Sequence, residues 1–312
     1  MLGECKMIKL GIDLGNGYTK VKGMRFASKT KVGRLASLAG LGEKPEEIHE
    51  VGYKGTTYIV GDGEPFTSPD RYFTRDYEVC LLTAIGLNSK NIKIDVDVCV
   101  GLPISQFMDM SLRHEVAENI MALSAKEPAK ITLNGYDKLI KIKRVLVFAE
   151  GAYVMDTMDS ENIITIDLGA GTINITQWQN LTPVAYDTVP KSFNRLYREI
   201  ANHIKNTGRG TVTPAYIEEN FGANEIDIDG KMVDISDTHE NIRKYVSSLV
   251  SNVYDICDVP QAKKIQIFGG GAVATADYWK NAFGQDRAGV EVLENSQYTN
   301  SEIYQKVIER VK

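Results

Sequence analysis

The sequence predicts an α/β protein built from two copies of one domain, and three observations support this. The segment IDLGNG at residues 12–17 returns as IDLGAG at residues 166–171. In each copy an apolar run precedes the glycines and an alternating run follows them, the pattern of a strand, a glycine-rich turn and a second strand. Apolar residues recur at helical spacing elsewhere, as in residues 238–255, which places helices among the strands.

Length and composition set limits on the function. A chain of 312 residues favours two domains over one. With 36 Lys and Arg against 41 Asp and Glu, the net charge of −5 provides no basic surface for direct binding to nucleic acid or to an anionic membrane. Any link to DNA therefore requires a partner protein.

The four cysteines include no C-x-x-C pair, which argues against a disulfide framework and against a zinc site. No apolar run approaches the roughly 20 residues of a membrane span. The first residues lack the apolar segment of a signal peptide, so we expect a cytoplasmic protein with no membrane partner.

The first half begins with the repeated hairpin and continues into a small, loop-rich insertion of short strands at about residues 23–75. We interpret Arg71 and Arg75 as residues of a solvated helix face. Helical and alternating patterns then predict helices over residues 70–87 and 106–124, and strands over residues 93–100, 129–134 and 138–148, the last two joined by an Asn134-Gly135 turn.

Glu150 directly follows an apolar strand, with Gly151 and Ala152 behind it. In open α/β sheets this position faces ligands. A glutamate at a helix N-terminus, favoured by the helix dipole, explains the local pattern equally well. Both interpretations stay open at this stage.

The second half repeats the hairpin, adds a third strand over residues 183–189 and opens an amphipathic helix at Lys191-Ser192. A second small insertion at about residues 206–238 precedes the long helix of residues 238–255. The strand of residues 264–268 ends in Gly269, Gly270 and Gly271 before a helix through Phe283, and a final helix covers residues 298–311.

The glycine turns indicate phosphate binding. An acidic residue at the end of a buried strand, followed by glycines whose backbone N–H groups can close on an anion, suits the phosphates and metal of a nucleotide. One such turn alone is better explained as a plain hairpin; two copies favour a pair of phosphate clamps. Three consecutive glycines are poorly explained by structure alone, and they let a flat ring or a phosphate lie on the main chain.

Three glycine sites in this order resemble the phosphate-1, phosphate-2 and adenosine motifs of the actin, sugar-kinase and heat-shock-chaperone ATPase superfamily. Glu150 falls at that superfamily's first connecting motif. Within it, the chain most resembles the ParM/StbA branch of bacterial actin-like plasmid-segregation ATPases. The specific likeness lies in residues 98–107, in residues 131–135 leading to Val145, and in residues 294–298.

The resemblance implies an actin-like fold of two duplicated RNase H-like domains with a nucleotide cleft between them. The domains would be residues 1–160 plus 297–312, and residues 161–296. The implied nucleotide contacts are Asp13, Gly15, Asn16, Gly17, Tyr18, Lys20, Gly169, Ala170, Gly171, Thr172, Gly269, Gly270, Gly271 and Ala272.

The implied reaction is hydrolysis of ATP to ADP, with GTP left open as an alternative nucleotide. Asp13 would organise Mg²⁺ through its waters, with Asp167 as a second metal contact, and Glu150 with Asp167 would orient or deprotonate the attacking water. Two other functions remain open: a small-molecule kinase of the same superfamily, and a non-catalytic nucleotide-binding regulator.

The resemblance also implies homopolymeric, nucleotide-dependent filaments that segregate plasmid DNA through a DNA-binding adaptor on a centromere-like site. Two positions depart from the family pattern. Ser301 stands where relatives often have glycine or alanine, and residues 191–194 replace a small, glycine-containing turn.

Overall fold

The computed structural model describes residues 7–35, 47–65, 68–157, 161–284, 287, 289–294 and 296–311. The chain divides into two compact units. Unit 1 comprises Met1–Ala152 and Tyr298–Lys312, and unit 2 comprises Tyr153–Gln297. Among the described residues, no helix has the length and apolar character needed to cross a membrane.

The described part of unit 1 contains a ten-stranded sheet. In chain order its strands are β1 (Ile8–Leu14), β2 (Tyr18–Val21), β3 (Met24–Ala27), β4 (Lys29–Val32), β5 (His49–Tyr53), β6 (Thr56–Val60), β7 (Glu64–Pro65), β8 (Lys93–Leu102), β9 (Ala129–Leu133) and β10 (Tyr136–Ala149). Their spatial order is β3-β2-β1-β8-β10-β9-β5-β6-β4-β7. The strands β1, β8 and β10 are parallel, so their carboxyl ends lie at one edge of the sheet.

The short strands predicted for the first insertion are present, and they extend the main sheet. Strand β5 pairs with β9, and β6, β4 and β7 follow outward from it. Backbone hydrogen bonds thus join this segment to unit 1. The Asn134-Gly135 turn between β9 and β10 has positive φ at both residues, 51° and 88°, as predicted for this dipeptide.

The helices of unit 1 are α1 (Arg75–Leu87), α2 (Ile104–Phe107), α3 (Met110–Ala122) and, at the end of the chain, α9 (Thr299–Arg310). A short 3₁₀ helix, Arg71–Phe73, precedes α1, which begins only where Thr74 accepts a hydrogen bond from the backbone N–H of Tyr77. The single helix predicted for residues 106–124 is two helices, because Asp109 caps the start of α3.

Helix α9 packs closely on β1, and glycine permits the approach. A Cβ at Gly11 would lie 2.1 Å from the backbone nitrogen of Gln305 and 2.6 Å from the carbonyl oxygen of Ser301. The Gln305 side chain accepts from the Gly11 N–H at 2.9 Å and donates to the Lys9 carbonyl at 3.1 Å. Ser301 is buried and donates to the Tyr298 carbonyl, so a hydroxyl is accommodated at this departure from the family pattern.

Unit 2 contains, among its described residues, a five-stranded sheet and a separate hairpin. The strands are β11 (Ile163–Leu168), β12 (Ile173–Gln179), β13 (Thr182–Val189), β14 (Glu225–Ile228), β15 (Lys231–Asp234), β16 (Lys264–Gly269) and β17 (Val290–Val292). The sheet order is β13-β12-β11-β16-β17, and β14 pairs only with β15. The hairpin and the short helix before it match the predicted second insertion.

The helices of unit 2 are α4 (Val154–Thr157), α5 (Phe193–Asn206), α6 (Pro214–Glu219), α7 (His239–Ile256) and α8 (Ala276–Phe283). Helices α5 and α7 bury the apolar faces that their sequence periodicity predicts, including Leu196, Ile200, Val246 and Leu249. With the apolar faces of β11, β12 and β16 they form the core of this unit.

The two units share one strand topology. In unit 1, β1 is antiparallel to β2, β2 to β3, and β1 is parallel to β8. In unit 2, β11 is antiparallel to β12, β12 to β13, and β11 is parallel to β16. The repeat seen in the sequence is therefore a repeat of the fold, and each glycine turn occupies the same place in its unit.

Candidate functional site

The first glycine turn joins β1 to β2. The Gly15 N–H donates to the Tyr18 carbonyl at 3.1 Å, which closes the turn. A Cβ at Gly15 would lie 3.1 Å from the same carbonyl oxygen, a close contact that a small shift of the turn relieves. Among the described residues, no turn or loop backbone hydrogen bond uses the N–H groups of Asn16 and Gly17. These two groups are the donors that the turn can offer to an anion.

A row of charged side chains crosses the strands beside this turn. Asp13 on β1 faces Lys20 on β2, which in turn faces Arg25 on β3. Asp13 is buried, and the Lys20 ammonium lies 3.2 Å from its Oδ2. Arg25 stacks over the Tyr18 ring at 4.8 Å and forms an exposed ion pair with Glu47. The buried carboxylate is thus neutralised within its own hairpin.

Glu150 lies at the edge of the sheet where the first turn lies. It follows the carboxyl end of β10, and its backbone N–H donates to the Leu102 carbonyl at the end of β8 at 2.8 Å. The side chain is buried. Its surroundings do not match a glutamate at an exposed helix N-terminus, because the Glu150 side chain is buried and is paired with a buried arginine.

That arginine is Arg71, and the interpretation of Arg71 as part of a solvated face is wrong. Arg71 is only 3% exposed, whereas Arg75 is exposed as predicted. Its Nη1 donates to the side-chain oxygen of Asn16 at 2.5 Å, and its Nη2 lies 3.6 Å from Glu150 Oε1. Burial is the largest influence on the pKa of Arg71 and lowers it, but the neighbouring Tyr72 and Glu150 outweigh burial, so the pKa is raised.

The second glycine turn joins β11 to β12 with the same backbone geometry. The Gly169 N–H donates to the Thr172 carbonyl at 3.0 Å. A Cβ at Gly169 would lie 2.5 Å from that oxygen, closer than at the first turn. The N–H groups of Ala170 and Gly171 take part in no turn or loop backbone hydrogen bond among the described residues, so they are the donors on offer here.

The row of side chains beside the second turn carries no cation. Asp167 on β11 faces Asn174 on β12, which faces Thr188 on β13. The Thr188 hydroxyl donates to the Asn174 side-chain oxygen at 2.9 Å, and the Asn174 amide donates to Asp167 Oδ2 at 3.5 Å. Asp167 is buried. Its Oδ2 thus accepts from an amide, whereas the Oδ2 of Asp13 is paired with the Lys20 ammonium.

The three glycines after β16 have different explanations. Gly269 has a φ of +104°, and a Cβ there would lie 2.5 Å from the Leu168 carbonyl oxygen. A Cβ at Gly271 would lie 2.2 Å from the Phe193 ring. Packing thus requires two of the glycines, contrary to the expectation that structure alone explains them poorly. Gly270 has open space around its Cβ position.

Residues 191–194 build the surface against which this glycine turn packs. Ser192 caps α5 by accepting from the Arg195 N–H, and the Asn194 N–H donates to the Ala170 carbonyl at 3.4 Å. Lys191 is held by Ser248 and Asn252 of α7, at 2.5 and 2.8 Å. Residues 191–194, which depart from the family pattern, therefore bring the start of α5 to the second turn. They also place the Phe193 ring so close to position 271 that only glycine fits there.

Ala272 is fully buried, and its backbone N–H donates to the Gly269 carbonyl at 3.2 Å. The helix predicted directly after the glycines begins later, because the 3₁₀ turn Val273–Thr275 precedes α8. Thr275 anchors this turn by donating to the Gly271 carbonyl at 2.7 Å.

Within the part of the chain that the structure describes, no three His, Cys, Asp or Glu side chains gather as a metal centre. The acidic residues of the two turns still suit Mg²⁺, which keeps several waters and is commonly bound by one or two carboxylates together with phosphates. Asp13 and Asp167 are both buried carboxylates of the kind that this role requires.

Sequence reasoning missed Arg71, Asn174, Thr188 and the packing role of Phe193. Asn174 and Thr188 could have been predicted from the sequence. Counting residues outward from each hairpin turn identifies the residues that face the aspartates on the neighbouring strands. Arg71 carried no such signal, since its burial depends on contacts with residues distant in sequence.

Residues 11–152 match the family model for actin-like proteins, N-terminal domain. Among solved structures, the apo psk41 ParM protein is 19% identical, with 97% of each chain covered and a TM-score of 0.71. The archaeal actin homologue Ta0583 is 16% identical over 98% of this chain and 100% of that chain, with a TM-score of 0.80. A 15-stranded ParM filament from Clostridium botulinum is 15% identical over 97% and 99%, with a TM-score of 0.75.

No curated protein matches this sequence significantly. The predicted actin-like fold is nevertheless confirmed by coverage of nearly the whole chain in each structural comparison. Residues 11–152 therefore match an actin-like N-terminal domain, and the chain as a whole has the fold of the ParM proteins and other bacterial and archaeal actin homologues.

Proposed function

We propose that this protein is an ATPase that binds Mg-ATP through its two glycine turns and hydrolyses it with Glu150 and Asp167. The observation that carries the proposal is the placement of Glu150. A buried carboxylate lies at the same sheet edge as the first turn and is joined to that turn through Arg71 and Asn16. The complex of Ta0583 with ADP supports a nucleotide as the ligand of this fold.

In the proposed site the chain acts mainly by positioning. The N–H groups of Asn16 and Gly17, and those of Ala170 and Gly171, donate to phosphate oxygens, while the Gly15 and Gly169 N–H groups hold the turns closed. Lys20 adds positive charge beside the first turn. Gly270, with nothing near its Cβ position, offers a flat surface to the base or the ribose.

Hydrolysis needs a water aligned with the terminal phosphate and little covalent chemistry from the protein. Glu150, with Asp167, orients that water or accepts its proton, and Asp167 would also contact Mg²⁺. Mg²⁺, when bound, neutralises charge that develops on the phosphates.

We further propose that nucleotide binding drives assembly into homopolymeric filaments, which move plasmid DNA through a DNA-binding adaptor on a centromere-like site. Filaments are described for Alp12 and for the Clostridium botulinum ParM, both similar to this chain in fold. A subunit contact that does not close on itself generates a filament. The acidic balance of the chain, −5, favours an adaptor over direct contact with DNA.

Sedimentation and light scattering with Mg-ATP, Mg-ADP and a slowly hydrolysed ATP analogue test this proposal, with electron micrographs of each sample. We expect polymer with ATP and with the analogue, and disassembly as ATP is consumed. Protein that stays in the supernatant under every nucleotide would overturn the filament assignment. Phosphate transfer to a sugar, without polymer, would instead indicate a small-molecule kinase.

A further inference from the structure

We propose that Arg71 is a positioning residue for hydrolysis: it holds the Glu150 carboxylate in place and ties it to Asn16 of the first glycine turn. This inference rests on the proposed ATPase function. Arg71 precedes α1 in a 3₁₀ turn, far in sequence from both of its partners. Its side chain is the direct physical link between the turn that would bind phosphate and the carboxylate that would act on water.

The planar guanidinium suits this link. Nη1 donates to the Asn16 side-chain oxygen at 2.5 Å, while Nη2 of the same group lies 3.6 Å from Glu150 Oε1. Two nitrogens in a fixed fork set the two partners at a fixed separation, which the single nitrogen of a lysine cannot do. The orientation of Glu150 is therefore coupled to the position of Asn16.

The surroundings of Arg71 hold it in one orientation. Its Cζ lies 5.0 Å from the centre of the Tyr72 ring, and Nη2 also donates to the Tyr72 hydroxyl at 3.4 Å. That hydroxyl donates to Gln106 at 2.7 Å, and Asn119 donates to the Tyr72 carbonyl at 2.9 Å. The guanidinium cannot swing away from Glu150 without breaking buried hydrogen bonds.

Charge gives a second reason for the pairing. A buried guanidinium stays ionised and needs a counter-charge, and a buried carboxylate needs a cation to stay charged. Side-chain exposures of 4% and 10% leave little solvent to serve either group. Each group therefore stabilises the charged form of the other, and a charged Glu150 is the form that can orient or deprotonate water.

The test compares Arg71→Gln and Arg71→Lys with Arg75→Gln. Arg75 is a matched control, because it lies four residues on and its ion pair with Glu78 is exposed. We expect Arg71→Gln to lower kcat for ATP hydrolysis by about 10- to 100-fold while the Kd for Mg-ATP changes less than about 3-fold. Arg71→Lys restores part of kcat, since it keeps the charge but loses the fork.

A double-variant cycle shows whether Arg71 acts through Glu150. In a Glu150→Gln background, Arg71→Gln should change kcat less than about 2-fold, because the group it positions is already disabled. The double variant also removes both buried charges, so it provides a folded comparison if Arg71→Gln alone unfolds. Thermal unfolding and gel filtration of each variant establish that the folded protein is being assayed.

Two results overturn the inference in different ways. If the wild-type protein hydrolyses ATP and both Arg71 variants match Arg75→Gln in kcat, the positioning role fails and the ATPase proposal stands. The positioning role also fails if the losses of kcat caused by Arg71→Gln and Glu150→Gln are fully additive in the double variant. If the wild-type protein hydrolyses no nucleotide, the proposed function fails and the inference fails with it.

Discussion

The two glycine turns share a backbone and differ in charge. Each is closed by the same hydrogen bond, from the first glycine N–H to a carbonyl three residues on. The cross-strand row beside the first turn is an aspartate, a lysine and an arginine, Asp13, Lys20 and Arg25. The row beside the second is an aspartate, an asparagine and a threonine, Asp167, Asn174 and Thr188. The two copies share the strand-turn-strand backbone and the aspartate, and they differ in the residues that face the aspartate on the adjacent strands.

This difference in charge indicates that the two turns suit different parts of a ligand. The Lys20 ammonium beside Asp13 makes the first turn suited to phosphate oxygens. At the second turn the Asp167 carboxylate accepts a hydrogen bond from the Asn174 amide, and a buried carboxylate there suits a metal ion or a polarised water.

The largest expected effect is on hydrolysis. We expect Asp167→Asn to lower kcat for Mg-ATP by about 100-fold or more, because it removes a carboxylate that we propose orients the attacking water and contacts the metal ion. Asp13→Asn should cost less, since the lysine beside it remains available to phosphate. Steady-state phosphate release measures both variants, with Asp187→Asn, an exposed carboxylate on β13, as the control. A larger loss from Asp13→Asn would reverse the assignment of the two turns.

The next effect is on stability. Lys20→Met leaves Asp13 buried without its ion-pair partner, which we expect to destabilise unit 1 by about 1–3 kcal/mol. Asn174→Leu, of similar shape, loses the 2.9 Å hydrogen bond from Thr188 and the 3.5 Å hydrogen bond to Asp167 but breaks no ion pair, and it should destabilise unit 2 by about 1 kcal/mol.

Hydrogen exchange of strand amides in each unit compares these two variants, because it reads local stability. Tryptophan fluorescence would not do so, since the two tryptophans of the chain, Trp178 and Trp279, both belong to unit 2. Equal losses of stability from Lys20→Met and Asn174→Leu would show that the charged row beside the first turn is no more important to stability than the uncharged neighbours of Asp167.

A smaller difference in stability is expected between alanine substitutions at Gly15 and at Gly169, the first glycine of each turn. A Cβ would lie 2.5 Å from the carbonyl oxygen at Gly169 but 3.1 Å at Gly15. We expect Gly169→Ala to cost about 1–3 kcal/mol, and Gly15→Ala to cost under about 1 kcal/mol. Thermal unfolding midpoints measure the difference, with Gly270→Ala as a control that meets nothing within 4 Å. A Gly15→Ala variant as unstable as Gly169→Ala would contradict the geometry.

Local signals made the fold predictable from the sequence. The repeated strand-turn-strand segments, the Asn134-Gly135 turn and the apolar face of α7 each depend on residues close together in the chain. The actin-like resemblance then supplied the order of the pieces. The break between α2 and α3 was missed, although Asp109, which caps α3, is a residue type that commonly starts helices.

The candidate site was less predictable, because its chemistry depends on distant contacts. Arg71 looked like an exposed helix residue and is buried between Asn16 and Glu150. The need for glycine at position 271 arises from the ring of Phe193, which no local pattern places there. Residue types near a turn can be predicted from sequence, whereas their ion pairs and burial follow from tertiary packing.

The central claim is that Glu150 acts on water at a bound nucleotide, and one measurement tests it most directly. Single-turnover phosphate release and equilibrium Mg-ATP binding are compared for the wild-type protein and Glu150→Ala. We expect binding to change less than about 3-fold while the rate of release falls by about 100-fold or more. Equal loss of binding and hydrolysis, or loss of neither, would contradict the role of Glu150.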